Sequence, residues 1–93
     1  MKLFDWVPEK NQQLVKERGI SFEEVIFHLQ SDGLLDDIVH PNQIDYSHQR
    51  VFIMAIESYA YLVPYVESGE TIFLKTIIPS RKATKQYLGG KDE

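Results

Sequence analysis

The 93-residue sequence predicts an α+β domain, with N-terminal helices on an antiparallel meander of about four strands, closed by a C-terminal helix. Three observations carry this. Residues 8–30 hold the start and stop residues of two helices. Residues 34–78 hold runs of β-branched and aromatic residues broken by Gly, Ser, Asn and Pro. After Pro79 the pattern turns helical again, with Ser80 before it and Gly89-Gly90 after it. The length suits one domain around one core, and 43% hydrophobic with 26% charged residues is a globular composition.

The elements follow in order. Residues 3–6 suit a short edge strand. Pro8 fits the first position of a helix, where a missing N–H costs nothing, and Glu9 complements the dipole there. That helix runs to Arg18 and stops at Gly19; with only Leu14 and Val15 apolar, it belongs on the surface. Ser21 and Glu24 form a capping box for a second helix, and Ile20 and Val25 are spaced as a hydrophobic staple. Phe22, Val25, Ile26 and Leu29 make one buried stripe, and Gly33 ends the element. Residues 34–39 read as a strand with an acidic middle, Asp36-Asp37, and His40-Pro41-Asn42 opens a polar loop to about residue 49. Strands are expected over 50–57, 59–66 and 71–78, with a turn at Ser68-Gly69 and an unassigned one at Glu57-Ser58. Pro64 cannot donate a ladder bond, so a bulge or unpaired backbone is expected beside it. The last helix spans 81–88.

Alternation along these strands places Phe52, Met54, Ile56, Ala60, Leu62, Val66, Ile72, Leu74 and Ile78 on one face. The other face receives Val51, Ile53, Ala55, Tyr59, Tyr61, Val63, Tyr65, Phe73, Lys75 and Ile77. A meander wetted on one side has a polar outer face, whereas here both are apolar. Either helices cover both, or a partner or a second copy of the chain covers part of one, and the Tyr-rich face is the better candidate for that interface.

Composition excludes several chemistries. With no cysteine there are no disulfides, thiolate-bound zinc or thiol catalysis. No apolar stretch at the start matches a signal peptide, and no run reaches the roughly 20 residues of a membrane span, so a soluble, cytoplasmic chain is expected. A net charge of −4 opposes unassisted nucleic-acid binding, but the charge is unevenly spread. Positions 1–45 hold nine acids and four bases, whereas 75–91 hold five bases (Lys75, Arg81, Lys82, Lys85 and Lys91) and no acid.

Two clusters carry candidate chemistry. In Ser80-Arg81-Lys82-Ala83-Thr84-Lys85, cations occupy a first helical turn, where the dipole opposes them. Cations, hydroxyls and free amides together predict an anion site, with phosphate the obvious ligand and Lys75 in reach. The competing reading is a solvated basic helix whose arginine pairs with an acid of the first two helices. The second cluster is His40, Asp45, Tyr46 and His48, followed by Arg50. Histidine is the usual general acid or base near neutral pH, although exposed loop histidines are commonplace. With Asp36 and Asp37 the cluster also contains metal-ligand types, but not a recognised ligand spacing, and no metal or other cofactor is expected. Tyr59, Tyr61, Tyr65 and Phe73 are of the type that stacks bases, though such aromatics more often pack.

Phe4-Asp5-Trp6-Val7-Pro8-Glu9-Lys10-Asn11 and Lys16-Glu17-Arg18-Gly19-Ile20-Ser21-Phe22-Glu23-Glu24 resemble the opening of BrnT-like toxins, and Ile77-Ile78-Pro79-Ser80-Arg81-Lys82-Ala83-Thr84 resembles their ending. The resemblance implies a RelE-like fold and the toxin of a type II toxin–antitoxin system. It implies a metal-independent endoribonuclease that inhibits translation, acts on free or ribosome-associated RNA, and is neutralised by a ribbon-helix-helix antitoxin. The family's paired arginines fall on Arg81 and Lys82, the lysine giving up bidentate phosphate recognition. On this reading Arg81, Lys82, Lys75, Ser80, Lys85 and Arg50 hold phosphate, and His48, His40 and Tyr65 are the proton-transfer candidates. A non-catalytic module binding through the Tyr-rich face is the alternative.

Overall fold

The computed structural model describes residues 3–89. Gly90 and Lys91, the expected end of the last helix and its last base, lie outside the described residues. The chain is α+β. It runs β1 (Leu3–Asp5), α1 (Pro8–Arg18), α2 (Phe22–Gln30), β2 (Leu34–Val39), β3 (Gln49–Ile56), β4 (Tyr59–Ser68), β5 (Thr71–Leu74), β6 (Ile78–Pro79) and α3 (Arg81–Thr84), which widens into a π-helical turn over Lys85–Gly89. No helix among the described residues is long and apolar enough to cross a membrane.

The helix signals act as read. Gly19 ends α1 at φ 71°, its N–H bonding the carbonyl of Val15. Ser21 and Glu24 close the capping box on α2 from both sides. Gly33 works through space rather than through φ: a Cβ there would sit 2.9 Å from the carbonyl oxygen of His28 and 3.0 Å from that of Ala55. Asn11 joins the two helices, accepting from the Phe22 amide at 2.7 Å and donating to Glu23 at 2.9 Å. That bond holds the Glu23 carboxyl below its ordinary pKa.

The sheet is ordered β1-β5-β4-β3-β2, with β6 also on β4. It is mixed rather than wholly antiparallel, because β1 pairs in parallel with β5. The expected strand over 71–78 is two strands, and Pro64 supplies the reason. Its carbonyl accepts from Lys75 at 2.8 Å, so its proton-less nitrogen faces the same neighbour. β5 pairs with β4 up to Tyr65↔Leu74, and β6 resumes at Leu62↔Ile78. Three residues, 75–77, therefore lie opposite two, 63–64: the expected irregularity falls on the strand next to Pro64. The extra residue reverses alternation, so Leu74 and Ile77 are both buried in one core.

The face assignment of β4 is corrected by its turn. Glu57 (φ 54°) and Ser58 (φ 69°) form a two-residue hairpin loop with positive φ at both positions, as a type I′ turn requires. Such a loop sets Ile56 opposite Tyr59, Met54 opposite Tyr61, Phe52 opposite Val63 and Arg50 opposite Tyr65. Cross-strand partners share a face, so the tyrosines lie with Phe52, Met54 and Ile56. That is the face covered by α1 and α2, where Leu14, Phe22 and Val25 close the core and Trp6 stacks on Phe22. Of the Tyr-rich set, Tyr65 is buried in that core, whereas Tyr59 and Tyr61 are half-buried at its margin. The opposite face carries Val51, Ile53 and Ala60 and is capped only by Ala83 and Tyr87 of the short C-terminal helix.

Candidate functional site

Asp36 and Asp37, neighbours on β2, point to opposite faces, and each accepts a tyrosine hydroxyl. On the α1–α2 face the Tyr65 hydroxyl donates to Asp37 at 2.8 Å, and the Arg50 guanidinium donates to the same carboxylate at 3.1 Å. The Tyr65 ring is buried and stacks on Phe52 at 4.0 Å. Burial, then the bond to Asp37, pushes its pKa up to about 12. The phenol that was a proton-transfer candidate is thus buried, with its proton held by Asp37. Arg50 belongs to the same cluster, on the far side of the sheet from α3, so it does not join Arg81 and Lys82 around one ligand. On the other face the Tyr87 hydroxyl donates to Asp36 at 2.8 Å, which raises the tyrosine's pKa and ties the C-terminal turn to β2.

The anion site expected at the last helix is not built as predicted. Ser80 caps α3 by accepting from the Ala83 amide at 3.1 Å, and the Thr84 amide bonds the Ser80 carbonyl. The Thr84 hydroxyl donates to that carbonyl at 2.7 Å and accepts from the Ala60 amide at 2.9 Å. The Ser80 hydroxyl is thus committed to capping α3 and the Thr84 hydroxyl to docking it on β4, and only four residues are α-helical. The cations remain available. Arg81, Lys82 and Lys85 are exposed, and none is ion-paired with a carboxylate among the described residues. Lys75 stands apart, with its ammonium 5.3 Å from the centre of the Phe73 ring.

The loop between β2 and β3 is ordered from within. Asn42 and Asp45 bond each other at 3.0 Å, and the His40 ring stacks on Tyr46 at 4.4 Å. His40 Nδ1 accepts from the Asn42 amide at 3.0 Å, which leaves Nε2 as the free ring nitrogen and, in the neutral ring, the one that carries the proton. His48 is exposed in the turn before β3. Among the described residues no three His, Asp or Glu side chains converge as a metal-ligand set.

One arrangement was not legible in the sequence. Because α3 is short, the β-sheet face beneath it is only partly covered, and two adjoining depressions remain. One, of about 240 Å³, is lined by Ile38, His40, Pro41, Val51, Leu62, Pro64 and Ile78. The other, of about 210 Å³, is lined by Ile38, Ile53, Leu62, Ser80, Lys82, Ala83, Gln86 and Tyr87. Ile38 and Leu62 belong to both, so they form one apolar trough with an imidazole toward one end and an ammonium toward the other. Of the proposed site residues the structure brings His40, Lys82 and Ser80 to this trough; Arg81, Lys85, His48, Tyr65, Lys75 and Arg50 do not line it.

Family models, curated proteins and solved structures yield no significant match.

Proposed function

We propose that the chain is a BrnT-like toxin of the cytoplasm, a metal-independent endoribonuclease whose partner is a ribbon-helix-helix antitoxin. The observation that carries this reading is the trough with His40 and Lys82 on its walls. RNA cleavage without metal needs a proton acceptor for the 2′-hydroxyl, a proton donor for the leaving 5′-oxygen, and positive charge beside the phosphate. The 2′-oxygen attacks the adjacent phosphorus as its proton leaves. The P–O5′ bond breaks as that oxygen gains a proton, leaving a 2′,3′-cyclic phosphate. His40 is the first candidate for one of these transfers, made through Nε2 once Nδ1 takes a proton and releases the Asn42 amide, and His48, exposed before β3, is the second. Lys82, with Arg81 and Lys85, supplies charge in an otherwise acidic protein.

Purified protein incubated with RNA and a magnesium chelator tests the chemistry, and cleavage should persist. His40→Ala should lower kcat by about 100-fold or more, the usual contribution of a general acid or base. Retained activity would remove His40 from the mechanism, and cleavage that stops with the chelator would remove the mechanism itself. Growth arrest on expression, relieved by a neighbouring ribbon-helix-helix reading frame, tests the toxin assignment. A non-catalytic binding module is the second reading. It is favoured by the apolar trough and the net charge of −4, and of the tyrosines it would use, Tyr59 and Tyr61 are half-buried and Tyr65 is buried.

A further inference from the structure

We infer that the depression beside His40 is a slot for one unpaired nucleobase, so the substrate is single-stranded RNA taken with little regard to base identity; this rests on the nuclease reading above. Its lining is aliphatic apart from His40, with two prolines, Pro41 and Pro64, as rigid walls. A volume of about 240 Å³ lies below the roughly 300–1,000 Å³ of sites for drug-sized ligands and suits a single ring system. A base inside a duplex is stacked and paired, so only an extruded or unpaired one can enter. Sequence is read through hydrogen bonds to base edges, and His40 is the one side chain here able to make them. Charge commits the occupant. The trough leads from this apolar slot to Lys82, and Arg81 and Lys85 beside it have no carboxylate partner among the described residues. An apolar moiety joined to repeating anions is what fits both parts, and a nucleotide strand has that chemistry.

The His40 ring supplies one flat wall, held from behind by its stacking on Tyr46. A base against that wall leaves its backbone outside the slot, with Lys82 further along the trough. An apolar peptide would fill the slot but would leave the cations unpaired, and a bare phosphate would pair with them but leave the slot empty.

Fluorescence anisotropy at one low salt concentration tests this with labelled 2′-deoxy oligonucleotides, which lack the attacking hydroxyl and remain intact. A thymidine hexamer should bind at least about fivefold more tightly than an abasic hexamer carrying the same phosphates, the lower bound for stacking one base. An adenine hexamer should match thymidine within about twofold, and a duplex, whose bases are paired, should bind through its phosphates alone, so that Ile78→Gln leaves its binding unchanged. Ile78→Gln, at an exposed position on β6 and without change of charge, should reduce thymidine binding to the abasic level. Equal binding of thymidine and abasic strands would overturn the slot even if RNA cleavage stands, so its failure is separable from that of the nuclease reading. A shift of Ile78→Gln from dimer to monomer in light scattering, with unchanged oligonucleotide binding, would assign the slot to a second copy and overturn the proposal.

Discussion

The two faces of the sheet are closed in different ways. On the α1–α2 face, twelve buried residues from both helices, three strands and the segments beside them form a continuous core. On the α3 face, four buried residues and the rim of a nine-residue helical tail do the same duty over a smaller area. The first face holds its one charged cluster, Asp37 with Arg50 and Tyr65, at the margin; the second leaves an open trough with a histidine and a lysine on it. Stability and binding capacity are thus divided between faces. A helix pair with a full apolar stripe excludes water completely, whereas a four-residue helix cannot.

Core truncation should separate the faces most widely. Met54→Ala, at a fully buried position, should cost about 2–5 kcal/mol in urea unfolding, whereas Ile78→Ala on the other face should cost about 0.5 kcal/mol or less. Similar costs would mean that the trough is packed in solution. Thr84→Val tests how the thin side is held. It removes the acceptor of the buried Ala60 amide and should cost about 1–3 kcal/mol, with the loss of the helical tail visible by hydrogen exchange.

Tyr65→Phe probes the charged margin. Loss of a hydrogen bond to a carboxylate that is itself partly exposed should cost about 1.5 kcal/mol. The wild type should also show a pH signature. The Tyr65 pKa of about 12 lies above the ordinary value of about 10, so its contribution is fully present below pH ~10 and is lost as pH rises toward 12. Phenolate absorbance should show one tyrosine titrating last, and Tyr65→Phe should remove that step. The smallest effect is a gain. Replacing Glu57-Ser58 by Asn-Gly relieves two left-handed backbones and should stabilise by about 1 kcal/mol, with β3–β4 register unchanged.

Much of the α1–α2 side was legible because its signals are local. A capping box, a proline at a helix start and a glycine in the left-handed region act within a few residues. The site was less legible. Arg50 and Tyr65 look like free functional groups until Asp37, distant in sequence, is seen between them. Ser80 and Thr84 look like phosphate ligands until their hydroxyls are found joining α3 to its own cap and to β4. Asn11, which carries no motif, proves to join α1 to α2. Polar side chains satisfy whichever partner the fold brings nearest, and a linear pattern does not contain that partner.

By itself the sequence determined the element types, their order, the α+β class and the uneven spread of charge, because propensity, capping and period-two patterning act over short stretches. Only tertiary structure decided which sheet face each strand residue joined. A two-residue turn set the β3–β4 register, and one extra residue opposite Pro64 reversed alternation between Leu74 and Ile77. In a strand a shift of one position exchanges inside for outside. That exchange turned the tyrosines of β4 toward the α1–α2 core, burying Tyr65, and left His40 and Lys82 on a shared, open trough.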